Sequence, residues 1–330
     1  MKIIIDVMGG DSPSEVVNGA IAAAQEHPEL TVVLTGDEKM IRETINVEVS
    51  NISIVGTSQA ISNDESPTMA IKTKKDSSMV VALRMLSEDE DAIGMISTGS
   101  TGAVLTGASL IVGRIPGVYR PTLMSQLPTM NGGIVCITDS GANMDSRPEW
   151  LYQFAVMGSA YMRAVTGKDK PTVALLNVGT EDHKGNALIH ETFPILKNST
   201  LNFVGNMEAR DTLTGKYDVV VCDGYDGNIL LKGSEGAAKM VMKSLKAAIM
   251  GSFSAKIGYL FMKKAFNKLR HDMDYNNYGG APFLGIKKPV VKSHGSSNAA
   301  AIKQSVNQLL KIKEGNVIDT IKEGIAEGAK

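Results

Sequence analysis

The sequence predicts a three-layer α/β/α protein built on a mostly parallel sheet, and three observations carry that prediction. Short β-branched and aliphatic runs alternate with helix-compatible segments from the first residues onward, as parallel strands covered on both faces require. Those runs end in loops rich in Gly, Asn, Asp, Ser and Thr, the composition of strand-to-helix turns. The 330 residues are 43% hydrophobic and 21% charged, enough apolar material for a sizeable core. A single α/β/α domain spanning 1–330 is expected, with a helical protrusion at 234–275.

The elements follow in order. Lys2 to Val7 reads as a buried strand ending in Met8-Gly9-Gly10-Asp11, and a helix from about Pro13 to Glu26 has Ser12 available as its cap and Pro13 at a tolerated position. Thr31 to Thr35 and Ile52 to Val55 repeat the strand signal on either side of a short helix ending near Ile45. The polar stretch Thr57 to Thr68 leads into a helix through about Leu86, whose Lys72, Lys74, Lys75 and Arg84 form a solvated face or greet an acidic ligand. Ala92 to Ile96 is a strand, Ser97 to Ala103 a loop, and Val104 to about Val112 a helix. Gly133 to Thr138 is a strand, followed by the polar loop Asp139 to Asp145. Trp150, Tyr152 and Phe154 on the helix Glu149 to Thr166 suit core or interface packing.

Thr172 to Leu176 is a strand, Asn177 to Asn186 its loop, and Ala187 to Lys197 a helix. Strands at Leu201 to Val204 and Val219 to Cys222 lead into the loops Gly205 to Asp211 and Asp223 to Asn228. From Ser234 to about Met273 the pattern is helical throughout, and Tyr278 to Gly285 reads as a turn-rich loop. Pro289 to Lys292 is the last strand, Ser293 to Asn298 a small-residue loop, and helices close the chain. In a doubly wound sheet the carboxyl ends of the strands share one edge, so these loops are expected to converge on one crevice.

Composition excludes several classes. A net charge of −1 leaves no electrostatic footprint for nucleic acid. Cys136 and Cys222 both lie in apolar runs and offer neither a disulfide framework nor a zinc spacing. No uninterrupted apolar run reaches the ~18 residues of a membrane span, and the short opening run, broken by Asp6, reads as a strand rather than a signal peptide. The chain reads as cytoplasmic. No G-x-G-x-x-G follows a strand and no Walker loop is present; neither a cofactor nor a metal is expected.

Three features carry candidate chemistry. The loop N-V-G-T-E-D-H-K-G-N packs an imidazole (His183), an ammonium (Lys184) and two carboxylates (Glu181, Asp182) into ten residues, although a solvated loop with Asp182 or Asn186 as helix cap fits as well. The loop S-T-G-S-T-G-A at a helix start is either an anion cradle or a tight turn with a capping hydroxyl. From Phe253, apolar Ile257, Leu260, Phe261, Ala265 and Leu269 recur at helical steps among Lys256, Lys263, Lys264, Lys268 and Arg270. That stretch fits a membrane surface, an acidic partner, a dimer contact or a packed helix with solvated lysines. His294 is either a ligand contact or a cap.

Taken in order, D-V-M-G-G-D, S-T-G-S-T-G-A, S-G-A-N-M-D, N-V-G-T-E-D-H-K-G-N, V-G-N-M-E-A-R-D, C-D-G-Y-D-G-N, Y-G-G-A-P-F-L-G and S-H-G-S-S-N-A resemble the bacterial phosphate acyltransferase family of phospholipid synthesis (PlsX) over nearly the whole chain. Val7, Ser100 and Ser140 depart from the common Ala, Asn and Val of that pattern without removing a charged group. The resemblance implies a homodimer with a fold like that of isocitrate dehydrogenase and phosphotransacetylase. It implies conversion of acyl-[acyl-carrier-protein] and inorganic phosphate into acyl phosphate and free acyl carrier protein, peripheral membrane association, and a downstream glycerol-phosphate acyltransferase that uses the product.

A thioester attacked by phosphate needs an anion cradle, donors for the oxyanion and a proton for the departing thiolate. His183, Lys184, Asn186 and Asn228 are the candidate catalytic residues. Lys184 would hold the phosphate charge, His183 would orient it or protonate sulfur, and the two asparagines would bind the oxyanion. Asp6, Gly9, Gly10, Asp11, Ser97, Thr98, Gly99, Ser100, Thr101, Gly102, Asn143, Asp182, Asp223, Gly227, His294 and Ser296 are the candidate phosphate- or substrate-binding residues. Phe253, Lys256, Ile257, Leu260, Phe261 and Lys264 are the candidate membrane- or carrier-docking residues. The alternatives are phosphotransacetylase-like transfer to coenzyme A, a nicotinamide-dependent decarboxylating dehydrogenase, and a membrane-surface scaffold.

Overall fold

The computed structural model describes residues 1–272 and 278–328. Eleven strands form one sheet: β1 (Lys2–Asp6), β2 (Thr31–Gly36), β3 (Ile52–Gly56), β4 (Ala92–Ser97), β5 (Thr122–Pro128), β6 (Ile134–Thr138), β7 (Thr172–Asn177), β8 (Asn202–Glu208), β9 (Val219–Val221), β10 (Ala281–Leu284) and β11 (Val290–Lys292). Their spatial order is β3-β2-β1-β4-β11-β10-β5-β6-β9-β7-β8.

Eleven α-helices are described: α1 (Pro13–Glu26), α2 (Glu38–Thr44), α3 (Pro67–Thr73), α4 (Ser78–Glu88), α5 (Thr101–Gly107), α6 (Pro148–Thr166), α7 (Ala187–Lys197), α8 (Gly224–Gly251), α9 (Phe253–Asp272), α10 (Ala299–Glu314) and α11 (Val317–Gly328). One π-helical turn, Ala108–Val112, extends α5.

Pairing is parallel everywhere except at β11-β10, β10-β5 and β5-β6. Those three antiparallel junctions reverse the sense of the sheet. β6, β9, β7 and β8 therefore run opposite to β1 to β4 and β11. The expectation that all strand ends share one edge is corrected accordingly: the loops after β1, β4 and β11 leave one edge, those after β7 and β8 the other. Neither β5 nor β10 is evident in the sequence, because β10 lies in a stretch that reads as turn.

Alternation along the strands sorts the core by face. Ile3 and Ile5 pack with α1 and α10, while Ile4 packs with α4. In the second half Cys136, Val219 and Val221 face α6, and Val135, Ile137 and Val220 face the layer of α8. Helices on both faces of the sheet give the three-layer architecture.

Local chemistry explains several boundaries. The expected helix from Thr68 to Leu86 is two helices, α3 and α4, and α4 starts where the Ser77 hydroxyl accepts from Val80 N. Ser12 makes no side-chain cap; its carbonyl receives Glu15 and Val16 instead. The strand expected at Leu201 to Val204 extends to Glu208 as β8, so Gly205 to Met207 is strand rather than loop. α8 begins ten residues before Ser234, capped by the Asp223 carboxylate on Tyr225 N, and only Gly224 and Gly227 of it are buried. With α9 it forms the protruding hairpin; residues 273–275 of the expected protrusion and the Arg270 side chain lie outside the described residues. Among the described residues no helix is long and apolar enough to cross a membrane.

Candidate active site

The antiparallel junction in mid-sheet opens a cavity of about 180 Å³ between the loops after β4 and β11, strand β5 and the start of α8. Its position follows from alternation: Leu123, Ser125 and Leu127 share one face of β5, and Lys292 follows Val290 onto the corresponding face of β11. Opposite them stand Asn228, Leu231, Lys232 and Glu235, spaced i, i+3, i+4 and i+7 on α8 and so on one helical face. Thr101, Ser140, Tyr278, His294 and Ser297 complete the rim.

Lys292 is the half-buried cation of this cavity. Its ammonium donates to the carbonyl oxygens of Ser293 and, at 3.5 Å, Thr98. Burial, reinforced by the Lys232 charge, pushes it down to about 8, against the opposing pull of Asp11 and Asp6. Lys232 itself is exposed and paired with Glu235 at 2.9 Å. His294 Nδ1 accepts from Ser296 N at 3.2 Å, which assigns the proton of the neutral ring to Nε2. Burial and the Lys292 charge hold its pKa down, so the ring stays neutral more readily. On the far wall the Ser125 and Ser140 hydroxyls bond at 2.7 Å, and Ser140 Oγ also donates to Leu123 O at 2.9 Å. Ser140, a departure from the family pattern, thus has a defined place.

The other expected residues fall into three groups. The first forms a layer beneath the cavity. Asp6 is fully buried and accepts from Ser78 Oγ (2.6 Å) and Ser97 Oγ (2.7 Å), and Ser97 Oγ accepts from Gly99 N at 3.1 Å. Ser97 and Thr98 are buried too. Gly9 and Gly10 are small for close packing: a Cβ would lie 2.6 Å from Gly99 N and from Thr98 Oγ1 respectively. Asp11 N bonds Gly295 O at 2.9 Å, tying the first and last of these loops together. Ser100 precedes α5 without a side-chain cap bond, and Gly102 packs on the Pro67 ring.

A second group surrounds Asp139. This buried carboxylate accepts from Leu123 N, Ala142 N, Asn143 N and Asn143 Nδ2, which offset the upward push of burial. Asn143 Nδ2 also donates to Pro121 O at 2.8 Å, Asp223 accepts from Ser146 N at 2.9 Å, and a Cβ on Gly227 would overlap the Asp139 carbonyl.

The third group stands apart. His183 and Lys184 are exposed and line no part of the cavity. Their loop turns toward the sheet edge, where Asn206 Nδ2 donates to Glu181 O, Asp182 pairs with Lys197, and Asn186 Oδ1 caps α7 on Ile189 N. At the hairpin, Phe253, Leu260 and Phe261 are 80%, 69% and 86% exposed, and Lys256, Ile257 and Lys264 are exposed beside them.

A family model described as "Fatty acid synthesis protein" matches residues 1–320. A phosphate acyltransferase of Brevibacillus brevis is 45% identical over 328 residues, covering 98% of this chain and 97% of the relative. That of Clostridioides difficile is 44% identical over 331 residues, covering 99% and 97%. The chain belongs to the phosphate acyltransferase family. It is an acyltransferase enzyme. A phosphotransacetylase from Streptococcus pyogenes shares the fold at TM-score 0.60 and 19% identity, with 95% of this chain and 94% of that one covered. A branched-chain phosphotransacylase from Enterococcus faecalis does so at TM-score 0.59 and 14% identity, with 94% and 98% covered. For this phosphate acyltransferase the cavity supplies what sequence reasoning missed: Lys292, Ser125, Gln126, Ser140, Leu231, Lys232 and Tyr278. The one legible signal was Lys292, a charge ending the apolar strand P-V-V-K beside S-H-G-S-S-N.

Proposed function

We propose that the enzyme forms acyl phosphate from long-chain acyl-[acyl-carrier-protein] and inorganic phosphate, the first step toward phosphatidic acid. The observation that carries this reading is the half-buried Lys292 ammonium in a cavity that also offers Thr101, His294 and Ser297 to an anion. The cavity of about 180 Å³ is far above the ~10–15 Å³ that a single water needs, and we place phosphate and the thioester head in it with the rest of the acyl chain outside.

A phosphate oxygen attacks the thioester carbonyl carbon, and the carbonyl electrons move onto oxygen beside the Asn228 amide. Collapse of that tetrahedral intermediate breaks the C–S bond, leaving acyl phosphate and a thiolate that takes up one proton. Lys292, close in acidity to an ordinary thiol, is matched to supply it. For the carrier-bound complex we propose that His183 and Lys184 join this cavity, Lys184 adding charge beside phosphate and His183 orienting it or protonating sulfur. Asn186 Nδ2 remains for the oxyanion, since Oδ1 is used in the cap. Direct transfer is favoured over an acyl-enzyme, because burial pushes both cysteine thiols well up.

We assign acyl carrier protein as the acidic partner met by the lysines of α9, and the exposed apolar stripe of α9 to a peripheral membrane contact. A homodimer and a glycerol-phosphate acyltransferase taking up the product complete the proposal. A second reading, phosphotransacetylase-like transfer between acyl phosphate and coenzyme A, draws on the shared fold alone. Phosphate-dependent release of carrier thiol, measured beside acyl-coenzyme A, separates the two.

A further inference from the structure

Asp6 is a buried carboxylate that touches no part of the cavity, yet it stands in register with it. In the sheet Asp6 pairs with Ser97, and Ser97 pairs with Lys292, so the three side chains form one row across β1, β4 and β11. Two strand spacings, about 10 Å, separate the ends of that row. Asp6 accepts from the Ser78 and Ser97 hydroxyls and from the Met8 backbone. Burial pushes its carboxyl up, and these hydrogen bonds together with the Lys292 charge pull it back toward the ionised form.

We infer that Asp6 is a positioning residue for the transfer step, fixing the loop after β4 through Ser97 and holding the Lys292 ammonium in its charged state from within the sheet. The inference rests on the reading of the Lys292 cavity given above. The row is closed from above by α4, whose Ser78 carbonyl accepts from Thr35 Oγ1 at 3.0 Å while its hydroxyl serves Asp6. Ser97 O in turn accepts from Ser293 N at 2.9 Å, so the β4 loop and the Lys292 loop move together. The other charged groups facing Lys292 are Lys232 on α8, which opposes its charge, Asp11 after β1, which supports it, and His294 on its own loop, with Glu235 neutralising Lys232. Asp6 is the one of these enclosed by protein.

The test is the pH dependence of kcat/KM for inorganic phosphate in D6N, D6E and S78A, with K292A as the control on the cavity itself. D6N keeps the shape and loses the charge; its alkaline limb is expected about one unit lower, a loss of about tenfold at high pH with little change near pH 6.5. D6E restores the limb. S78A removes one of the two hydroxyl donors, weakens the carboxylate charge and moves the limb the same way by less; it decides the matter should D6N fail to fold. Uniform loss at every pH with an unmoved limb overturns the inference and leaves Asp6 a purely structural group. K292A with full activity overturns the cavity reading itself, whereas an inactive K292A combined with an unmoved limb in D6N and S78A overturns only the role of Asp6.

Discussion

Replacing Lys292 by Met separates catalysis from stability more sharply than any other substitution. The ammonium is held at about 8 against 10.5 for an exposed lysine, which at ~1.36 kcal/mol per unit means that keeping it charged in the fold costs about 3 kcal/mol. The sign follows from the lowered folded value. Between about pH 8 and 10.5 the unfolded chain binds more protons, so wild-type stability rises with pH across that window, and the cost is fully present below it. Lys292→Met removes the charge and keeps the stem, so at pH 7 it is expected to be more stable by up to about 3 kcal/mol. At ~2.1 cal/mol/K per residue, that is a rise in Tm of about 4 °C over 330 residues. The advantage should vanish near pH 10.5. Phosphate-dependent thiol release should fall on the order of 100- to 1000-fold, as for loss of a preorganised charge. Thermal unfolding at the two pH values, with turnover of the same samples, makes the check. Unchanged or lower stability at pH 7, or wild-type turnover, would refute the reasoning.

Four further outcomes are expected. A His183→Ala, Lys184→Ala double variant should fold normally, because both side chains are exposed, and should lose turnover on the order of 100-fold; full activity would remove the loop from the chemistry. Cys136→Ala and Cys222→Ala should stay active while losing about 1 kcal/mol of stability on denaturant titration, and an acyl-cysteine trapped by mass spectrometry would contradict direct transfer. Gly10→Ala should destabilise by about 1–3 kcal/mol, since its Cβ would meet Thr98 Oγ1 at 2.6 Å and Gly295 O at 2.7 Å; a wild-type midpoint would show that the loops are not packed as described. The Michaelis constant for acyl carrier protein should rise with salt if the α9 lysines steer it, and salt independence would argue against electrostatic docking.

Much of this fold was legible because period-two and helical patterns survive where one face is buried. β1, β2 and β4 have apolar centres, β9 is apolar throughout, and their loops carry Gly, Ser and Asp. The sense of the sheet was not legible. It depends on β5 and β10, whose T-L-M-S-Q-L-P and A-P-F-L have no turn chemistry that reports an antiparallel partner far along the chain. That reversal is why the loop of His183 and Lys184 and the loop of Thr101 leave different edges. For the site, glycines and hydroxyls at strand ends fit ligand binding and close packing alike, and Gly9, Gly10, Ser97 and Thr98 are closely packed. Lys292 showed in the sequence only as a charge closing the apolar P-V-V-K: an ammonium becomes a site group through burial, and burial is a property of neighbours brought from β4, β5 and α8.

The most direct measurement is release of free carrier thiol from a long-chain acyl carrier protein, with and without inorganic phosphate, with acyl-coenzyme A in parallel. The account predicts phosphate-dependent release from the carrier, accompanied by acyl phosphate and abolished by Lys292→Met. No release, or release from coenzyme A alone, would contradict it.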